Sequence, residues 1–242
     1  MPRINATFLV YSIIGALSQI IFTFLLIWLF SFRNFAAGII YSKTETAQVA
    51  ILGGLILGDP LSAAAVIGIC VSLVGIMALS MAKTDVTFGN LAASVFGKTT
   101  LIGLGCGAAL GLSVVLFRGA ALSLGGEGFA MQAAFSLAVT LVMQTVMMGA
   151  YLAVRERDQL KAILVHWRVA LLIGIAAVSA SIFWRSAFTL QNAAYVRALG
   201  QIELVFAILA TAIVFRERIS RLEFVGMAFI VGGIFVLLFA GS

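Results

Sequence analysis

The chain has 242 residues, of which 63% are hydrophobic and 10% charged, with a formal net charge of +6 and a mean hydropathy of +1.18. Soluble domains carry about 45–50% apolar and 25% charged residues, so this balance excludes an ordinary soluble domain and predicts an all-α, polytopic membrane helix bundle. Two prolines and 24 glycines exclude a collagen-like or disordered chain, and the lack of alternating ten-residue segments excludes a membrane barrel.

Charges and turn formers divide the chain into apolar runs that predict eight spans, at 8–31, 35–57, 62–81, 99–121, 128–152, 169–190, 193–215 and 222–240. The first run, Thr7 to Ser31, is too long for a signal-peptide core and reads as a span. Cys70 and Cys106 fall inside apolar runs, where a thiol behaves as a small hydrophobe. Gly103, Gly107 and Gly111 form a GxxxGxxxG face, which lets two helix backbones approach closely. Short connections such as Gly58-Asp59-Pro60 and Arg216-Glu217-Arg218 suit antiparallel neighbours. The longer stretch Arg155 to Arg168 mixes charges with Leu160, Ile163, Leu164 and Trp167, as a short helix lying in the membrane interface does. On this eight-span path Arg33, Lys83, Lys98, Arg155, Arg157, Lys161, Arg168, Arg216, Arg218 and Arg221 share one side, against Arg3, Arg118, Arg185 and Arg197 on the other. That bias places the first group in the cytoplasm and both termini outside.

The chain also matches itself without a gap, 31–81 against 189–239. Asn34 falls on Asn192, Ala36 on Ala194, Glu45 on Glu203, Ser62 on Ser220, Gly68 on Gly226, Gly75 on Gly233, Ile76 on Ile234 and Leu79 on Leu237, an offset of 158 (192 minus 34). Rare residues such as Asn and Glu recurring at one offset in apolar helices point to an internal repeat. The second copy opens with two helices, near 99–152, whose counterparts would precede Met1. The expected plan is an inverted five-helix repeat with the first copy lacking its two leading helices. Its expected parts are a partial first repeat of three helices at 1–84, a connecting loop at 85–98 and a five-helix second repeat at 99–242. A start codon assigned too late is the expected cause of the shortfall.

The paired pattern of a helix, then Leu-Gly-Asp-Pro-Leu-Ser (57–62) or Phe-Arg-Glu-Arg-Ile-Ser (215–220), then a helix with spaced glycines, resembles the EamA family of the drug/metabolite transporter superfamily. The resemblance runs over roughly residues 8–240 and rests on diffuse motifs that recur twice in order. It implies ten helices in two inverted five-helix repeats, and transport of amino acids, metabolites or drugs, commonly outward. Where many members carry a proline in the helix before the acidic turn, this chain has Glu45-Thr46 and Glu203-Leu204.

Glu45 and Glu203 each lie 14 residues before that turn (59 minus 45; 217 minus 203), about 21 Å along a helix at 1.5 Å per residue. In a core about 30 Å thick both fall in the middle third, where a carboxylate costs about 2.5–3.5 kcal/mol and by default marks function. They are candidate proton- or amine-binding groups; the competing reading is that a basic neighbour neutralises each and it fixes helix packing. Lys43 and Arg197 are the nearby cations, and neither closes a pair with the glutamate of its own helix. Arg197 and Gln201 share a face, and a guanidinium is shaped to hold a carboxylate, so an acidic or zwitterionic solute is their expected ligand. Lys43 tunes the local charge or snorkels to the interface. Asn34, Tyr41 and Asn192 lie on the stripe of the glutamates and are candidates for a polar wall, with helix N-capping the favoured reading of both asparagines. Trp184 and Arg185, near a helix end, read as members of the interfacial belt, and Arg118 is ambiguous.

His166 is the single histidine, which excludes HExxH chemistry, and Met143, Met147 and Met148 read as gap-fillers rather than metal ligands. No GxSxG or P-loop occurs, so neither intramembrane catalysis nor ATP-driven transport is supported. The expectation is a cofactor-free, non-enzymatic secondary transporter of the inner membrane, probing both faces by alternating access, with proton coupling. Its expected partners are a small-molecule substrate and the lipid bilayer, with a homodimer left open and no nucleic acid. The alternative is a truncated, non-transporting scaffold or accessory protein.

Overall fold

A computed structural model describes residues 4–32, 35–82, 97–125, 128–216 and 219–239. Among the described residues the regular structure is helical and no strand occurs. The helices are α1 (Ala6–Phe30), α2 (Phe35–Ser42), α3 (Glu45–Leu57), α4 (Ala63–Ala82), α5 (Lys98–Ser123), α6 (Phe129–Arg155), α7 (Arg157–Val165), α8 (Trp167–Leu190), α9 (Ala193–Gly200), α10 (Ile202–Phe215) and α11 (Arg221–Phe239). Among the described residues seven stretches are long and apolar enough to cross a bilayer: α1, α4, α5, α6, α8, the run Ala193–Phe215 and α11.

The span expected at 35–57 is divided, because α2 stops at Ser42 and α3 starts at Glu45. The two pieces have 8 and 13 residues, each short of the roughly 20 that a crossing needs. Lys43 and Thr44 form the turn, closed by Lys43 N–H to Ile40 O and Thr44 N–H to Tyr41 O, both 3.1 Å. The Thr44 hydroxyl also donates to Tyr41 O at 2.7 Å. Such local bonds satisfy the backbone where the helix is interrupted, as a low-dielectric setting demands. A second interruption falls at Gln201, between α9 and α10. Helix limits recur 158 residues apart: Phe35 and Ala193, Ser42 and Gly200, Leu57 and Phe215, Ala63 and Arg221. So does the left-handed residue that closes α3 and α10, Gly58 at φ 67° and Arg216 at φ 54°.

The chain forms two compact units, one of Met1–Ile20 with Leu116–Gln191, the other of Ile21–Val115 with Asn192–Ser242. In the second unit α4 and α11 cross at their glycines. A Cβ on Gly68 would stand 2.8 Å from Gly233 O, and one on Gly75 would stand 2.7 Å from Gly226 O. The low number of one helix meets the high number of the other, so the pair is antiparallel and each glycine is needed for the approach. Ile76, Leu79, Val205, Ile208, Met227 and Ile230 bury themselves around it. The GxxxGxxxG face of α5 seats the interrupted α2–α3: Gly103 lies against Gly38 O, a Cβ on Gly107 would be 3.1 Å from Ser42 O, and one on Gly111 would be 3.2 Å from Val49 Cγ2.

In the first unit Phe8 packs with Ala120, Leu124 and Phe135. Arg118 donates to Phe188 O at 2.5 Å and Gln191 O at 2.6 Å, capping carbonyls that the end of α8 leaves open. A short helix, α7, lies between 155 and 168 where one was expected, with Ile163, Leu164 and Val165 exposed. Arg185, five residues before the end of α8 (190 minus 185), is 7% exposed.

Candidate functional site

Helix interruption places opposite charges at helix ends that suit them. Glu45 lies in the first turn of α3, where free backbone N–H groups and the helix dipole favour an anion. Arg197 lies in the last turn of α9, where the dipole favours a cation. The two side chains form an ion pair between α3 and α9, with 9% of the glutamate and 18% of the arginine exposed. Gln201, at the second interruption, donates its Nε2 to Thr46 Oγ1 at 3.0 Å and lies 3.4 Å from Arg197 O. Gln48 donates its Nε2 to Thr44 Oγ1 at 2.8 Å and approaches Leu104 O at 3.4 Å.

The amide oxygens of Gln48 and Gln201 are both buried without a hydrogen-bond partner. Each belongs to a side chain already anchored through its nitrogen, so the acceptor is oriented and unused. The seam between α3 and α9 therefore offers a guanidinium to an anion, and a carboxylate with two amide acceptors to a cation or a proton.

Of the residues singled out in the sequence, the structure brings Glu45, Arg197 and Gln201 together. Lys43 is half-buried in the turn between α2 and α3. Tyr41, also half-buried, packs against Ile40 and Met81. Glu203 occupies the first turn of α10 but is exposed, and Arg197 pairs with Glu45 instead. Asn192 caps α9, its Oδ1 accepting from Ala194 N–H at 2.9 Å. Asn34 lies outside the described residues. Thr46 and Gln48 were not singled out; their signal is a polar run, Glu45-Thr46-Ala47-Gln48, in an otherwise apolar helix.

Comparison with curated proteins gives no match. Among solved structures, a chain described as "Crystal structure of protein" is 17% identical, with a TM-score of 0.68, covering 98% of this chain and 79% of that one. At that identity the likeness speaks for the fold alone. The model of the EamA-like transporter family matches residues 98–239, more than half of the chain. This multi-pass helical membrane protein belongs to the EamA-like transporter family.

Proposed function

We propose that the chain is a secondary transporter of the inner membrane that exports small metabolites, such as amino acids or drugs, by alternating access of two inverted halves. The supporting observation is the meeting of two interrupted helices at the pair of half-buried Arg197 and buried Glu45. Interrupted helices whose ends face polar groups are a recurrent way of building solute and ion sites inside a bilayer. The reciprocal glycine contacts, Gly68 with Gly233 and Gly75 with Gly226, support the inverted relation of 1–84 to 99–242, with 85–98 connecting them. They are what a pseudo-two-fold axis between equivalent helices produces.

In this reading Arg197 takes the substrate carboxylate, and Glu45 with the amide oxygens of Gln48 and Gln201 takes its ammonium. A proton and the substrate ammonium compete for the Glu45 carboxylate, so the site carries one or the other, which couples solute export to proton entry. Glu203 serves as the second proton- or amine-binding carboxylate, and Lys43 sets the local charge. A homodimer is compatible with this scheme but plays no part in it.

The test is solute loss from cells expressing the chain, scored by mass spectrometry against empty vector for a mixed amino-acid and metabolite pool. Depletion of a solute that Glu45→Gln and Arg197→Gln both abolish, with each protein present in the membrane, is the expected result. Depletion unchanged in both variants removes the seam from the mechanism.

A further inference from the structure

A second buried charge lies in the unit of Met1–Ile20 and Leu116–Gln191. Arg185 Nη2 donates to Thr140 Oγ1 at 2.9 Å, and its guanidinium carbon lies 3.5 Å from the centroid of the Phe117 ring. Its Nη1 is buried without a hydrogen-bond partner. Thr140 orients the guanidinium without neutralising it, since its hydroxyl hydrogen goes to Ser136 O at 2.9 Å or Leu137 O at 3.0 Å. The described acids of this unit, Glu156 and Asp158, are exposed beside α7. α8 starts at Trp167, so 18 residues (185 minus 167), about 27 Å of helix, separate Arg185 from that end.

The same layer holds another orphan. Ser12 Oγ is buried and has no hydrogen-bond partner. α1 and α6 run side by side in parallel, with Phe8 against Phe135 at 5.8 Å and Gln144 donating to Gln19 at 2.8 Å. Ser12 and Thr140 both fall between those two levels. Gly15, three residues beyond Ser12 and so on the same face, makes room for the aromatic ring, because a Cβ there would stand 2.8 Å from Phe117 Cε1.

A charge buried in an apolar surround is normally paired, and an ionisable group at membrane depth is by default a functional site. We infer that Arg185 anchors a binding site for the carboxylate of a small organic anion, with Arg185 Nη1 and the Ser12 hydroxyl as donors and the Phe117 ring as floor. One guanidinium neutralises one charge, and two unused donors match two oxygens, which fits a carboxylate and not a phosphate dianion. None of these residues belongs to the α3–α9 seam, so the site does not rest on the function proposed above.

The test titrates the purified full chain in detergent with benzoate, and with benzamide as the neutral isostere, reading the unfolding temperature. Benzoate raises it and benzamide does not, and Arg185→Gln weakens the apparent benzoate affinity by about tenfold or more. Equal stabilisation by the two probes overturns the site. Loss of benzoate binding in Arg197→Gln but not in Arg185→Gln assigns the carboxylate to the seam and equally overturns it. If Arg185→Gln does not fold, Ser12→Ala decides: a drop of about fivefold supports the site, and unchanged affinity overturns it.

Discussion

The interrupted helix α2–α3 and the interrupted helix α9–α10 break at equivalent positions and close with a left-handed residue at the equivalent place, Gly58 or Arg216, yet only the first buries its glutamate. Glu45 is paired with Arg197, whereas Glu203 is exposed. The offset explains the asymmetry, since the residue equivalent to Arg197 is Ile39 (197 minus 158) and the residue equivalent to Gln201 is Lys43. The mirror-image ion pair has no cation to form it. A duplicated backbone can thus hold two non-equivalent sites, because a few side chains decide which glutamate is sequestered.

Charge removal should separate the two glutamates most sharply. Glu45→Ala takes the carboxylate away from the half-buried Arg197, and should cost about 3–5 kcal/mol in unfolding followed in detergent, while Glu203→Ala should cost about 0.5 kcal/mol or less. Adding Arg197→Met to Glu45→Leu should recover most of the stability, since an apolar pair of similar volume often replaces a buried ion pair without loss. The glycine crossing carries the next effect. Gly75→Val and Gly226→Val should each cost about 1–3 kcal/mol by overpacking, and by similar amounts, because their contacts are reciprocal. Gln201→Leu, which removes the bond to Thr46, should cost about 1 kcal/mol in the same assay. The smallest effect tests the helix closures: Arg216→Gly should stabilise by about 1 kcal/mol, because a side chain in the left-handed region is strained and glycine is not.

Much of the fold was legible because bilayer solvation leaves a coarse signal. Apolar runs gave the spans, and residues as uncommon in a membrane as Glu45 and Glu203 exposed the offset. The interruption at Lys43 and Thr44 was not legible, because no proline or glycine marks the turn and the polar residues from Ser42 to Gln48 suit one continuous helix with a polar site as well. Glu45 and Arg197 were recognised as unable to pair within their own helices, and finding the partner required the packing of α3 on α9. The burial of Arg185 was not legible, because a position near the end of α8 does not say which helices close over the side chain.

Solute-dependent proton entry into proteoliposomes, followed with a pH-sensitive dye once the exported solute is known, tests the account most directly. Wild-type protein should take up protons in exchange for solute leaving preloaded vesicles, Glu45→Gln should abolish that flux, and Glu203→Gln should reduce it less. Wild-type proton flux in Glu45→Gln, with the protein confirmed in the vesicles, would contradict the assignment of the Arg197–Glu45 pair as the coupling element.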